Sequence, residues 1–332
     1  MSQSRERQSS PVELDVETAA RFTEFGELDM PRFQVGFPPQ HLLLALLGDY
    51  WSGRCEPLPS AALVDLLAEF DVNPSGARAA LSRLSIRGLL VGTKDGRNTF
   101  YRVADGFRHL LPYGPIHTHA FGKPSAEWDG TWTMVAFTVP EDQRRLRPML
   151  RARLQSLGFA PLYDGLWVSP HAPDKDLDIA LQITPPQSCT IIRGSELPQK
   201  ERLSVASAWN LEELGDSYAE FIRTFRPLLR RLESGRISPT EALVGRTRAT
   251  YRWFVFAVTD PDLPQALLPK RWPRAAAHDL FVGLVDGMAA PAVERVREII
   301  GKYDPDLAKL VRLLPSDNHG NDASRITSSI GS

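Results

Sequence analysis

Residues 70–103 read FDVNPSGARAALSRLSIRGLLVGTKDGRNTFYRV. Asn73 is suited to cap a helix, and Pro74 to fill its first turn, where a missing N–H costs nothing. Gly88 is suited to end that helix. Within it Ala77, Ala80, Leu81, Leu84 and Gly88 share one stripe at three-and-four spacing. Ser75, Arg78, Ala79, Ser82 and Arg83 fall largely on the other side, with Arg87 near the C-terminal end. The segment LLVGTKDGRNTFYRV then predicts a hairpin with Asp95-Gly96 as its turn.

Working outward, PPQHLLLALLGDYW predicts a helix with Leu42, Leu43, Leu46 and Leu47 on its apolar side. SAALVDLLAEF predicts a second helix, with Ser60 as N-cap. Two helices joined by the DVN turn and followed by a two-stranded wing give the order of a winged helix-turn-helix. Small residues on the free side let such a helix sit deep in a major groove, and arginine bonds guanine edges or phosphates. The wing tip adds Lys94, Arg97 and Asn98, suited to phosphate or minor-groove contact. The candidate DNA-binding residues are therefore Ser75, Arg78, Ser82, Arg83, Arg87, Lys94, Arg97 and Asn98. Wet arginines on an amphipathic helix occur in every class of protein. From Arg32 to Arg108 nine Lys and Arg stand against seven Asp and Glu, so the argument rests on where the cations lie.

Composition sets the bounds. The chain has 332 residues, 42% apolar and 24% charged, with a net charge of −1; these values fit a globular protein of two or three domains. No run of about 18 apolar residues exists to span a membrane. The first residues lack the apolar core of a secretory signal. Cys55 and Cys189 lie in unrelated segments and suggest no disulfide framework, which fits a cytoplasmic location. The expected division is a flexible segment 1–30, a DNA-binding domain 31–113, a linker 114–128, a middle domain 129–200, a helical domain 201–312 and a disordered tail 313–332. The middle block reads β-α-β-(β)-α-β, the order of a ferredoxin-like split βαβ unit. The expected class is α+β: a winged helix-turn-helix, a ferredoxin-like middle domain and a helical C-terminal domain.

Three stretches, in this order, carry a resemblance to a known family. They are ARAALSRLSIRGLL with the wing GRNTFYRV, then WDGTWTMVAFTVPEDQRRLRPMLRARLQSLGFAPLYDGLWVSP, then RWFVFAVTDPDLPQALLPKRWP preceded by AWNLEELGDSYAEF. From about Phe37 to Tyr303 the chain resembles the PaaX family of bacterial transcriptional repressors. The resemblance implies a repressor of a catabolic operon, released from its operator by the coenzyme A thioester of an aromatic acid such as phenylacetyl-CoA. A homodimer on a palindromic operator is the expected assembly, because two-fold protein symmetry matches two half-sites. A thioester effector needs cations for its phosphates and an apolar slot for its acyl group. RTRATYRWFVF offers Arg248, Tyr251, Arg252 and Trp253 as candidate effector contacts, although aromatic residues at helical spacing usually form core.

The alternative is an enzyme. The middle block also resembles the small ferredoxin-like nucleases of CRISPR adaptation, which place an acidic metal ligand at the end of the first strand. Here VAFTVPED puts Thr138 at that position, a poor ligand for a hard cation. Glu141 and Asp142 are more simply partners of a helix N-terminus. His117 and His119 would share one face of a strand, without further ligands to complete a metal sphere. No P-loop, dinucleotide fingerprint, nucleophile elbow or HExxH is present. The expectation is a non-enzymatic regulator without a cofactor.

Overall fold

The computed structural model describes residues 37–108, 111, 113–123, 127–183, 185–195 and 208–313. The N-terminal segment expected to be flexible lies outside these residues, as does the tail expected to be disordered, Leu313 excepted.

Helix α1 spans Pro39–Tyr50 and buries Leu42, Leu43, Leu46 and Leu47. Helix α2 spans Ser60–Ala68. Ser60 lies inside the first turn; the cap position is Pro59, and Ser60 makes no capping bond. Proline presets the backbone angle there, so the helix starts without a side-chain cap. Asp71 turns the chain at φ 62°, and the Val72 N–H bonds the Leu67 carbonyl. Helix α3, Pro74–Ile86, starts on Asn73, whose Oδ1 accepts from the Gly76 N–H at 2.8 Å. Strands β1 (Leu58–Pro59), β2 (Leu90–Asp95) and β3 (Asn98–Val103) make an antiparallel sheet in the order β1-β3-β2. Asp95 pairs with Asn98, so the two loop residues are Gly96 and Arg97. The turn lies one residue later than expected, because Gly96 is the residue able to take φ +57°.

A short helix α4 (Asp105–Arg108) leads to α5 (Tyr113–Ala120). Residues 114–120, expected in a linker and with the histidines on a strand, are helical. The His119 ring lies 5.5 Å from the Phe281 ring.

The middle sheet comprises β4 (Trp132–Thr138), β5 (Ala160–Tyr163), β6 (Leu166–Ser169) and β7 (Ser188–Gly194), ordered β5-β6-β4-β7 with every pair antiparallel. Helices α6 (Leu146–Ser156) and α7 (Lys175–Ile183) bury Leu150, Leu154 and Leu177 against Val135, Phe137 and Trp167. Glu141 and Asp142 form a separate 3₁₀ turn ahead of α6, and do not open that helix. The opposite face of the sheet packs Trp132 and Val168 against Trp128, Trp209 and Leu267.

Helices α8 (Leu211–Glu233), α9 (Pro239–Thr259), α10 (Arg274–Gly287), α11 (Ala289–Gly301) and α12 (Pro305–Leu310) follow. Helix α9 opens on a capping box in which Ser238 and Glu241 each satisfy the other's backbone N–H. Its Gly245 permits close approach to α8: an added Cβ would stand 2.5 Å from the Leu228 side chain. The first and last blocks share a single hydrophobic core. It runs from Leu42, Leu63 and Leu81 through Phe221 and Trp253 to Val296 and Ile300.

Polar contacts cross the same seam. Arg246 of α9 donates to Asp49 of α1 at 2.5 Å and to the Val285 carbonyl at 3.2 Å, with both charged side chains no more than 5% exposed. Arg295 of α11 makes two bonds to the Glu69 carboxylate, at 3.0 and 2.7 Å. The Tyr303 hydroxyl donates to Asp65 at 2.7 Å. Burial pushes the Asp49 carboxyl above the ordinary carboxylate range while the adjacent guanidinium pulls it back down. In turn the carboxylate helps keep Arg246 protonated.

Candidate nucleic-acid interface

Helix α3 is held by its inner stripe. Ala77, Ala80, Leu81 and Leu84 are no more than 1% exposed, which fixes what faces outward. Ser75, Arg78, Ser82 and Arg83 are exposed, as are Lys94, Arg97 and Asn98 at the hairpin tip. Arg87 is half-buried at the C-cap, its N–H on the Arg83 carbonyl. Among the described residues, Arg78, Arg83, Lys94 and Arg97 have no acidic partner. By contrast, Arg102 and Arg108, at the base of the same unit, both pair with Asp105. The helix and hairpin tip thus carry four exposed cations without an acidic partner, while Arg102 and Arg108 at the base are neutralised by Asp105. Such an arrangement can meet a polyanion without first breaking ion pairs.

Two of the four candidate effector residues, Arg248 and Arg252, line a groove of about 770 Å³ between α8 and α9. Phe221, Phe225, Leu228 and Val244 give it apolar walls, and Arg231, which the sequence did not single out, adds a third guanidinium. Arg231 is 2.6 Å from Glu241, Arg248 is 3.8 Å from Asp71, and Arg252 is 4.0 Å from Glu220. Arg248 also lies over the Phe37 ring, 5.4 Å from its centroid. Tyr251 and Trp253 are elsewhere. They are 3% and 0% exposed and lie on different sides of α9, Tyr251 against the Phe37 and His41 rings and Trp253 against Phe281, and neither lines this groove. Neighbours along a helix differ by ~100° in direction, which separates Arg252 from the ring beside it.

Thr138 ends β4 exposed, and its hydroxyl shares a 2.7 Å hydrogen bond with that of Ser188. Among the described residues, no group of three or more His, Cys, Asp or Glu is placed to hold a metal ion. None of the described helices is long and apolar enough to cross a membrane.

Known proteins match along the chain. The family model of the PaaX-like protein matches residues 39–107, that of the PaaX protein central Cas2-like domain residues 125–205, and that of the PaaX-like protein C-terminal domain residues 209–298. The chain is 26% identical over 264 residues to the transcriptional repressor PaaX of Escherichia coli, covering 77% of this chain and 82% of that protein. The solved structure of an uncharacterized protein from Mycobacterium tuberculosis is similar with a TM-score of 0.48 and 21% identity, over 76% of this chain and 96% of that one.

Proposed function

The chain belongs to the PaaX family, and on that premise we propose that it is a cytoplasmic transcriptional repressor that binds operator DNA through α3 and the β2–β3 hairpin. The observation that carries this reading is the set of exposed, unpaired cations on those two elements. In it, α1–α3 with the three-stranded sheet form a winged helix, and β4–β7 with α6 and α7 form a ferredoxin-like unit; the strand order β5-β6-β4-β7 supports the latter. Arg78 and Ser82 approach base edges, Ser75 opens the same face, and Arg83 and Arg87 position the backbone. The hairpin tip, with Lys94, Arg97 and Asn98, meets phosphates without reading sequence. A homodimer engages a palindromic site upstream of a catabolic operon. Nuclease chemistry has less support, because Thr138 stands where an acidic ligand would be needed.

The hairpin supplies the test. Replacing both Lys94 and Arg97 by alanine is expected to weaken binding to operator and random duplex alike. It should also flatten the dependence of log K on log salt by up to about two units, one for each phosphate that the hairpin no longer neutralises. Gel shifts over a salt series read both quantities, and an unchanged slope removes the hairpin from the interface.

The groove between α8 and α9 is the proposed effector site. Its volume falls in the range that holds cofactor-sized ligands. Three guanidinium groups at an apolar cleft suit a molecule with phosphates at one end and an acyl group at the other. Arg248 and Arg252 then contact an acyl-CoA, with Tyr251 and Trp253 supporting the helix from within. Phenylacetyl-CoA or another aromatic acyl-CoA is expected to raise the operator dissociation constant about a hundredfold, a coupling of about 2.7 kcal/mol. Titrating the complex with thioesters, free acids and free coenzyme A tests this. Dissociation by free acids while every thioester is inert would overturn it.

A further inference from the structure

A helix turns ~100° per residue, so Ser75, Ala79, Ser82 and Ile86 stand in one row, flanked by Arg78 on one side and Arg83 on the other. Ile86 lies nearly opposite Leu84, which is fully buried. Its side chain is 81% exposed, more than any other large apolar side chain among the described residues. Isolated exposed apolar residues are ordinary on protein surfaces. This one is different in its setting: it stands at the C-terminal end of an outward face otherwise made of serine, alanine and arginine. The climb from Ser75 to Ile86 is about 16 Å, which runs beside roughly five base pairs.

We propose that Ile86 is a specificity-determining residue that contacts the C5-methyl group of a thymine in each half-site. This rests on the reading of α3 as the helix that enters the major groove. The thymine methyl is the apolar feature that groove displays. A branched side chain one turn beyond Ser82 and Arg83 is dehydrated against it when the cations of the helix engage phosphates or guanines. A cytosine at that position leaves the isoleucine facing a polar amino group instead. The arginines thus set where the helix sits, and Ile86 discriminates thymine at one step.

The test uses the full chain and a duplex enriched by that chain from a random pool. Each thymine is replaced singly by uracil, which deletes the methyl and preserves pairing, and the dissociation constant is measured by fluorescence anisotropy at one salt concentration. With the unaltered protein, one thymine per half-site is expected to lose about fourfold on conversion to uracil, the worth of one buried methyl. With Ile86→Ala, that same thymine and uracil should bind equally. The exposed position makes folding of the variant unproblematic, and an unchanged urea midpoint checks it. Tolerance of uracil at every position by the unaltered protein overturns the proposal, as does a methyl effect that persists in Ile86→Ala. Failure to enrich any sequence, with no binding to DNA, instead overturns the parent reading of α3.

Discussion

Replacing Arg246 by alanine is expected to lower the folding stability by about 3–5 kcal/mol. The magnitude follows from what remains behind. Asp49 is 2% exposed, and its carboxylate has Arg246 as its cationic partner. Without it, the carboxylate must stay ionised in an apolar setting or take up a proton. The guanidinium also lies over the Tyr50 ring, 5.7 Å from its centroid, so the truncation removes packing as well as charge. The pair is costly to break and need not be favourable to possess. Asp49→Leu combined with Arg246→Met is therefore expected to recover most of the loss. Urea unfolding of both single variants and the double variant measures this. A double variant no more stable than Arg246→Ala would mean that the seam needs the hydrogen bond to the Val285 carbonyl, not charge balance.

Trp253→Ala is expected to cost a similar amount, about 3–5 kcal/mol. Trp253 is fully buried and stands at the centre of the ring cluster. Phe281 stacks on it at 5.0 Å, and Phe121, Phe221, Phe256 and His278 surround it at 5.6–5.8 Å. These rings come from α8, α9, α10 and the segment after α5, so no single movement can close the resulting cavity. The indole N–H also bonds the Phe121 carbonyl at 3.4 Å, and that acceptor is left without its partner. Trp253→Phe keeps the ring stack and is expected to lose less than half as much. The urea midpoints of the two variants give the comparison. Equal losses would assign the effect to the hydrogen bond.

The α3–hairpin unit was the most legible part of the chain. Asn73, Pro74 and Gly88 act locally, through capping, a fixed φ and a left-handed turn, and local rules can be read without knowing the fold. The order of strands and helices in the middle block was legible for the same reason. Helix α10, RAAAHDLFVGLVDG, did not stand out: Ala277, Leu280, Phe281, Leu284 and Val285 form its buried stripe, but the outward Ala275, Ala276 and Val282 blur that stripe in the sequence. The Asp49–Arg246 pair joins residues 197 positions apart, and nothing near either one announces the other. Trp253 beside Arg252 suggested a ligand site because sequence adjacency does not say which side of a helix faces out. Ile86 was legible in principle: four residues after Ser82, it continues the free row.

The seam between the first and last blocks also bears on how the protein is made. Leu43, Leu46 and Tyr50 pack with Val296 and Ile300. Helix α1, the first among the described residues, therefore waits for part of its packing on residues synthesised some 250 positions later. At ~5–20 residues per second, that is a delay of the order of tens of seconds, during which the apolar side of α1 meets Leu58, Leu63 and Leu66 but lacks its neighbours from α11. The middle sheet has its own small core in Val135, Phe137, Leu150 and Trp167, with all four residues within one local stretch, so it is able to close on itself during this interval. Translation thus supplies one face of the middle sheet with its core early, while its other face waits for Trp209 and Leu267 and the first block for α11. Any chain truncated before α11 leaves its leucines exposed, a ready mark for chaperones and proteases.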